Sequence, residues 1–339
     1  MTTGIEIGMK AKFGLSLSTR AVLFDWGTLD DLIEMAEIAE KSRLFHGIWV
    51  GDNLLSKPRV EAMVTLSALA TRTERVKLGT ICLASFPLRE PILFAIQWAS
   101  LDILSKGRTI LTVCNGGTDK FGPQYAHELR TMGITSRERV GRVVEGISIL
   151  RRLWSEELVT HSGKYYQFSD LNLQPKPIQK PVPIHLAVNP PAGEVDPKTL
   201  DRVLRRVANH ADGWQTDGTP VDVFRERLAT ICRYAEELGR DTTHFDSSLH
   251  MMVNINDDET KAFEQATTFL TSYYGAGLIS RERAETWIAC GSTQSVIDKI
   301  ASYIEAGCTM PVLRFVAPNP REQLHRCIEE VLPAFYNRA

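Results

Sequence analysis

In this chain of 339 residues, the side chains able to do chemistry collect just after short apolar runs. Asp52 and Asn53 follow Gly47–Val50, Cys82 to Ser85 end the run from Val76, and Asn115 and Gly116 follow Thr109–Cys114. Ala187, Val188 and Asn189 end a later run, Gln215 and Thr216 another, and Met251 to Asn254 a third. Ser16 and Ser18 open the series and Arg314 closes it. Only Asp52 and Arg314 in this set are charged. No two carboxylates or histidines stand at a catalytic spacing, and the six cysteines form no CxxC pair and have no histidine at metal spacing. Groups of this kind position and hydrogen-bond, so the hard chemistry falls to an organic cofactor.

Each of these residues also has a plainer role. Asp52-Asn53 makes a turn by bonding its own backbone. Cys82 and Cys114 pack as inert thiols, His185 and Trp214 pack inside strands, and Gly116-Gly117 ends a strand without holding a phosphate. Taken singly, none supports a functional claim.

The elements that must position them alternate in type. Arg75–Gly117 is the clearest stretch: strand Val76–Cys82, then helix Glu90–Leu104 with Pro91 in its first turn. Gly107 is suited to the left-handed cap, and strand Thr109–Cys114 follows. So compact a unit implies a parallel pair with a right-handed crossover. Further strands are Lys12–Ser18, Gly47–Val50, Pro183–Val188, Gly213–Thr216, Phe245–Ile255 and Met310–Val316. Further helices run from Thr28 (a good N-cap) to Arg43, and over Arg59–Thr73, Ser136–Trp154, Lys198–His210, Pro220–Leu238, Asp257–Tyr274, Ser292–Ala306 and Pro320–Phe335.

Two stretches break the rhythm. Residues 155–183 read as an insertion: Val159–His161 and Lys164–Tyr166 flank Ser162-Gly163 as a hairpin, and Pro175, Pro177, Pro181 and Pro183 mark an extended connection. Residues 275–290 are irregular and read as a lid. Eight strands, each followed by a helix, give one α/β domain over 1–339, a (β/α)8 TIM barrel with its site at the strand C-termini. A doubly wound open sheet is the runner-up; it usually brings a Gly-rich turn after the first strand, and Leu15–Thr19 has none.

Composition narrows the class further. A hydrophobic content of 43% and a net charge of −2 suit a globular protein with no nucleic-acid or anionic-membrane partner. No apolar run is long enough to span a bilayer, and the first twelve residues lack the apolar core of a secretory signal, so a cytoplasmic location is expected.

Several segments, in order, resemble the bacterial luciferase-like monooxygenase family. They are Ile48-Trp49-Val50-Gly51-Asp52, Thr65–Thr73 before Val76–Thr80, Leu101-Asp102-Ile103-Leu104-Ser105-Lys106-Gly107-Arg108, Arg137-Glu138-Arg139, Gly163-Lys164-Tyr165-Tyr166 and Ala211-Asp212-Gly213-Trp214. The resemblance implies a barrel that binds reduced FMN, or its deazaflavin analogue coenzyme F420, at the strand ends. It also implies a bulge with a non-prolyl cis peptide at Ile81–Cys82 behind the ring, with Ala84 beside it. The flavin phosphate would lie by Ala187, Val188 and Asn189, with Gln215 on the next strand. Asp52, Asn53 and Asn115 would hold polar atoms of flavin and substrate, and Arg314 an anionic group.

Relatives often read Asp-His where this chain has Asp52-Asn53, and some deazaflavin dehydrogenases carry a glutamate where it has Gly117. The expectation is therefore a monooxygenase that uses reduced FMN, supplied by a separate reductase, and oxygen on a small organic substrate. The alternatives are hydride transfer with coenzyme F420 and a non-catalytic flavin-binding paralogue. The family further implies a homodimer.

Overall fold

The computed structural model of this chain describes residues 11–118 and 121–336. Residues 1–10, which bear on the secretory-signal reading, lie outside the described residues. The strands are β1 (Phe13–Leu17), β2 (Phe45–Asp52), β3 (Lys77–Leu83), β4 (Thr109–Val113), β5 (Val159–Ser162), β6 (Gln167–Leu171), β7 (Ile184–Ala187), β8 (Gly213–Asp217), β9 (Asp246–Ile255), β10 (Ile288–Gly291) and β11 (Met310–Phe315). The helices are α1 (Leu29–Ser42), α2 (Ala62–Arg72), α3 (Pro91–Leu104), α4 (Pro123–Thr131), α5 (Arg139–Ser155), α6 (Pro197–His210), α7 (Val221–Glu237), α8 (Glu259–Tyr274), α9 (Arg281–Trp287), α10 (Thr293–Glu305), α11 (Pro320–Arg326) and α12 (Pro333–Tyr336).

Eight parallel strands close on themselves in the order β11-β1-β2-β3-β4-β7-β8-β9, with β9 pairing back to β11. This is the (β/α)8 barrel expected from the alternation. Its inner surface is filled from within. The Trp49 indole lies across the barrel, and a Cβ placed at Gly14 or Gly79 would sit 2.7 or 2.9 Å from that ring. Glycine at those two positions is therefore a packing requirement, since dense interiors leave no room for an added methyl.

Local signals set several boundaries. Thr28 and Asp31 form a reciprocal capping box that starts α1. Pro91 occupies the first turn of α3, and Gly107 follows that helix at φ +77°. Asp102, fully buried on α3, accepts the N–H groups of Ile178 (2.8 Å) and Gln179 (3.0 Å) and the hydroxyl of Thr109 (2.6 Å). It thereby pins the proline-rich connection, which carries cis prolines at Pro175 and Pro181, to the barrel wall.

Four expectations need correction. The second hairpin strand is Gln167–Leu171, because the Glu145 carboxylate gathers the N–H groups of Lys164, Tyr165 and Tyr166 into the turn. The stretch 118–135, read without an element, contains α4. The closing helix is three pieces: α11, a π-turn over Cys327–Val331, and α12, which starts at Pro333. The 275–290 segment is irregular only at 275–280. Beyond it come α9 and β10, and β10 pairs with β9 past the point where β8 ends. Trp287, within that segment, is buried and donates to the carbonyl of His250 at 2.8 Å. Among the described residues no helix is long and apolar enough to cross a membrane.

Candidate active site

At the C-terminal end of β3 the strand carries one extra residue. Val50 to Asp52 on β2 faces Thr80 to Leu83 on β3, and the register against β4 shifts over the same stretch. The peptide bond Ile81–Cys82 inside this bulge is cis, as the resemblance implied. The bulge turns Cys82 toward the end of β4, where its thiol is hydrogen-bonded to that of Cys114. That bond, with burial, pushes the Cys82 thiol well above its ordinary value, so it is a protonated wall group. All six cysteines are free thiols.

Next to the bulge, Asn115 follows β4 with its side-chain Oδ1 buried and unpartnered. A buried acceptor left without a donor is costly, and a bound molecule that donates there removes the deficit. Gly116 adopts φ +68°, and a Cβ there would lie 2.6 Å from the Ala84 carbonyl, so the loops after β3 and β4 are in direct contact. A side chain at Gly117 would overlap the ring of Tyr125 from α4. The tyrosine thus fills the space that a side chain at this position would need.

Asp52 is buried, and the protein holds both of its oxygens. Oδ2 accepts the N–H of Ser85 at 2.8 Å, and Oδ1 pairs with Arg89 at 3.2 Å. It holds the loop that leaves the bulge. Asn53 donates to Ser56 Oγ (3.2 Å) and accepts from Arg59 (3.3 Å). The following loop is fixed from α4, where the buried Glu128 carboxylate accepts the N–H groups of Leu54, Leu55 and Ser56 at 3.1–3.2 Å.

This loop carries Lys57 into the mouth. Its ammonium lies 4.9 Å from the Tyr274 ring centroid and 5.7 Å from that of Tyr125. Burial, reinforced by the charges of Arg59 and Arg20, pushes Lys57 down to about 7, although the nearby Cys82 and Cys114 act the other way. Lys57 is the group that the residue-by-residue reading missed. Its one sequence signal is position: it lies five residues beyond Asp52, inside the loop of a strand end.

The other arc of the mouth is more self-contained. The Val188 N–H donates to the Gln215 carbonyl at 3.1 Å, and Trp214 donates to the Val188 carbonyl at 3.0 Å. Ala187 pairs with Gln215 across β7 and β8, and Gln215 is buried. Asn189 donates to Asp217 and accepts from Thr219 (2.9 Å), while Asp217 also pairs with Arg283 at 2.8 Å. Arg314 is buried at the end of β11. His250 on β9 is pushed well below its ordinary value by burial and by the Arg314 charge, so its imidazole is neutral. His185 lies at the opposite end of the barrel, 3.6 Å from Asp246.

A cavity of about 1090 Å³ lies beside this mouth between α1, α8 and the segment after β11. Ser16 and Ser18 at the end of β1 line it. Among the described residues no cluster of metal-ligating side chains is present.

The model of the luciferase-like monooxygenase family matches residues 6–310. The chain belongs to that family. Luciferase-like relatives similar to it by sequence include an F420-dependent glucose-6-phosphate dehydrogenase of Kineococcus radiotolerans, 26% identical over 96% of this chain and 97% of that protein. Another of the same name, from Beutenbergia cavernae, is 28% identical over 89% of this chain and 92% of its own length. In three dimensions the chain resembles an F420-dependent secondary alcohol dehydrogenase in complex with an F420–acetone adduct, with TM-score 0.79 and 20% identity over 96% and 99% of the two chains. It also resembles a monooxygenase from Streptomyces bottropensis, with TM-score 0.76 and 22% identity over 96% and 99%. At those identities the structural likenesses establish the luciferase-like fold. With the family comes the class: this chain is an oxidoreductase of the luciferase-like type.

Proposed function

We propose that this chain transfers a hydride between the deazaflavin coenzyme F420 and a small organic substrate. The observation that carries this reading is its likeness to F420-dependent dehydrogenases along about nine-tenths or more of both chains. The FMN- and oxygen-dependent expectation accordingly gives way to its alternative.

The mouth suits a deazaflavin. The bulge at Ile81–Cys82 offers a surface at the base of the site, and the orphaned Oδ1 of Asn115 beside it calls for a donor from a bound molecule. Ile81, Cys82 and Asn115 would hold the ring, with Asp52 fixing the loop behind it through Ser85 and Arg89. Coenzyme F420, when bound, supplies a ring carbon that accepts or gives a hydride and leaves oxygen unactivated.

Oxidising an alcohol also requires a place for the hydroxyl proton. Asn53 cannot take it, since an amide does not titrate near neutral pH. Lys57 can: with its ordinary value lowered to about 7, its Nζ is half neutral at physiological pH and accepts the proton as the carbonyl forms. Tyr125 and Tyr274 shield the amine, and Glu128 fixes its loop.

The deciding experiment titrates purified protein with coenzyme F420 and with reduced FMN in one binding assay, then offers sugar phosphates and secondary alcohols as hydride donors. Preferential binding of F420 and its reduction by one donor is the expected outcome. FMN binding with oxygen consumption would restore the monooxygenase reading. Binding without turnover on any donor would favour the non-catalytic one.

A further inference from the structure

Three guanidinium groups converge on one phenol at the β11–β1–β2 side of the mouth. The Cζ atoms of Arg314, Arg20 and Arg59 lie 5.2, 5.8 and 5.8 Å from the ring centroid of Tyr273. They come from separate elements: β11, the segment after β1, and the loop after β2, while Tyr273 comes from α8. Arg59 and Arg314 also meet at Gly51, where a Cβ would collide with Arg59 and lie 3.8 Å from Arg314 Nη2.

Among the described residues, no carboxylate answers the charges of this group. Arg314 is 2% exposed, yet its bonds go to the neutral hydroxyls of Ser16 (2.9 Å) and Tyr274 (3.0 Å). Arg59 donates to Asn53 and to the Lys57 carbonyl, and Arg20 donates to the Tyr273 carbonyl. The carboxylates near the mouth are engaged elsewhere, Asp52 and Glu61 by Arg89 and Asp217 by Arg283. Within this cluster Arg20 Nε and the Tyr273 hydroxyl are buried without a partner. Like charges held together out of water repel, and neutral hydroxyls compensate a buried guanidinium poorly. One oxyanion would satisfy the guanidinium groups, the orphaned Nε and the orphaned hydroxyl together.

The barrel order puts this group across the mouth from β4, β7 and β8. Ser16, which receives Arg314, also lines the large cavity, so the cluster borders that space. We propose that Arg20, Arg59 and Arg314, gathered around Tyr273, form a subsite for an oxyanion carried by the substrate, a carboxylate or a phosphate on a small organic molecule. Assigning the anion to the substrate and not the cofactor rests on the F420 reading above. Planar guanidiniums match the paired oxygens of either group, which makes arginine a better choice than lysine for this task. Burial pushes the Tyr273 phenol up, but the charges of Arg59, Arg314 and Arg20 outweigh it and bring it down.

The test is calorimetric titration of cofactor-free protein with inorganic phosphate and, separately, acetate at fixed ionic strength, repeated with F420 present. Binding of at least one anion to the wild type is expected, about tenfold weaker in Arg59→Gln and in Arg20→Gln. F420 should not displace the anion. Phosphate alone binding points to a phosphate ester, and acetate alone to a carboxylate. Arg314→Gln is set aside because its burial puts folding at risk. The proposal is overturned if neither anion binds more tightly to the wild type than to the two folded variants, or if F420 competes the anion away. If F420 fails to bind while an anion still does, the cofactor reading falls and the subsite stands.

Discussion

Lys57 Nζ lies 4.9 Å from the Tyr274 ring centroid, without a carboxylate in a salt bridge to it among the described residues. Burial and the charges of Arg59 and Arg20 disfavour the ammonium despite that ring, and the chemistry of the amine becomes that of a base near neutrality.

The pH dependence follows in sign. Lys57 falls from an ordinary 10.5 to about 7, so between those values the unfolded chain binds a proton that the folded chain does not. Stability of the cofactor-free protein should therefore rise with pH from about 7 to 10.5, and the penalty is complete below 7. Lys57→Met should remove this rise and stabilise the protein at pH 6 by at least about 1 kcal/mol, since each tenfold loss of proton affinity on folding costs about 1.4 kcal/mol. Thermal melts of both proteins across about pH 6–10 check it, and parallel curves would refute it.

In the catalysed direction that oxidises an alcohol, kcat/KM should climb through about pH 7 as Lys57 loses its proton. Lys57→Met should lower the plateau by about 10²–10⁴-fold, the usual range for a general base, and abolish that inflection. Hydride-transfer rates against pH supply the measurement. An unchanged inflection in the variant would assign the proton to another group.

Glu128 touches neither Lys57 nor the expected ring, yet it fixes the loop between them. Glu128→Ala leaves three N–H groups without their acceptor and should cost about 1–3 kcal/mol. Amide exchange at 54–56 should quicken while β1 and β11 stay protected. Uniform loss of protection would mean a global role instead.

Gly117→Glu would restore the acid that some deazaflavin dehydrogenases carry there. It should destabilise by about 1–3 kcal/mol, because the Tyr125 ring already fills the position. Pairing it with Tyr125→Ala should recover part of that loss. Denaturant midpoints of the single and double variants decide, and simple additivity would show that the ring is not the obstacle.

Much of this arrangement is local and hence readable from the chain. Alternation of apolar runs with amphipathic helices sets the eight-stranded barrel, since each run is buried on both faces and each helix on one. Capping at Thr28, the proline at 91 and the glycine at 107 act within a few residues, and all appear where their chemistry puts them. The bulge at Ile81–Cys82 was legible only by resemblance, because nothing in Thr80-Ile81-Cys82-Leu83 itself calls for an extra residue. Helix α4 was not legible at all. It is short, its apolar stripe is thin, and its importance lies in two side chains, Tyr125 and Glu128, that act on distant loops.

What the sequence by itself determined is the barrel, the residues at the C-terminal ends of its strands and the set of loops around them. These follow from periodicity and from turn chemistry over short spans. What only the tertiary structure decided is which charges are answered. Asp52 reads as a group to hold polar atoms of flavin and substrate, but its oxygens are occupied by Ser85 and Arg89. Lys57, Arg20 and Arg59, unremarkable in the chain, meet Arg314 at one mouth with no carboxylate bonded to them among the described residues. Whether a charge is paired depends on residues as far apart as 20 and 314, and burial then sets how strongly it is felt. Neither quantity is a property of any short stretch of sequence.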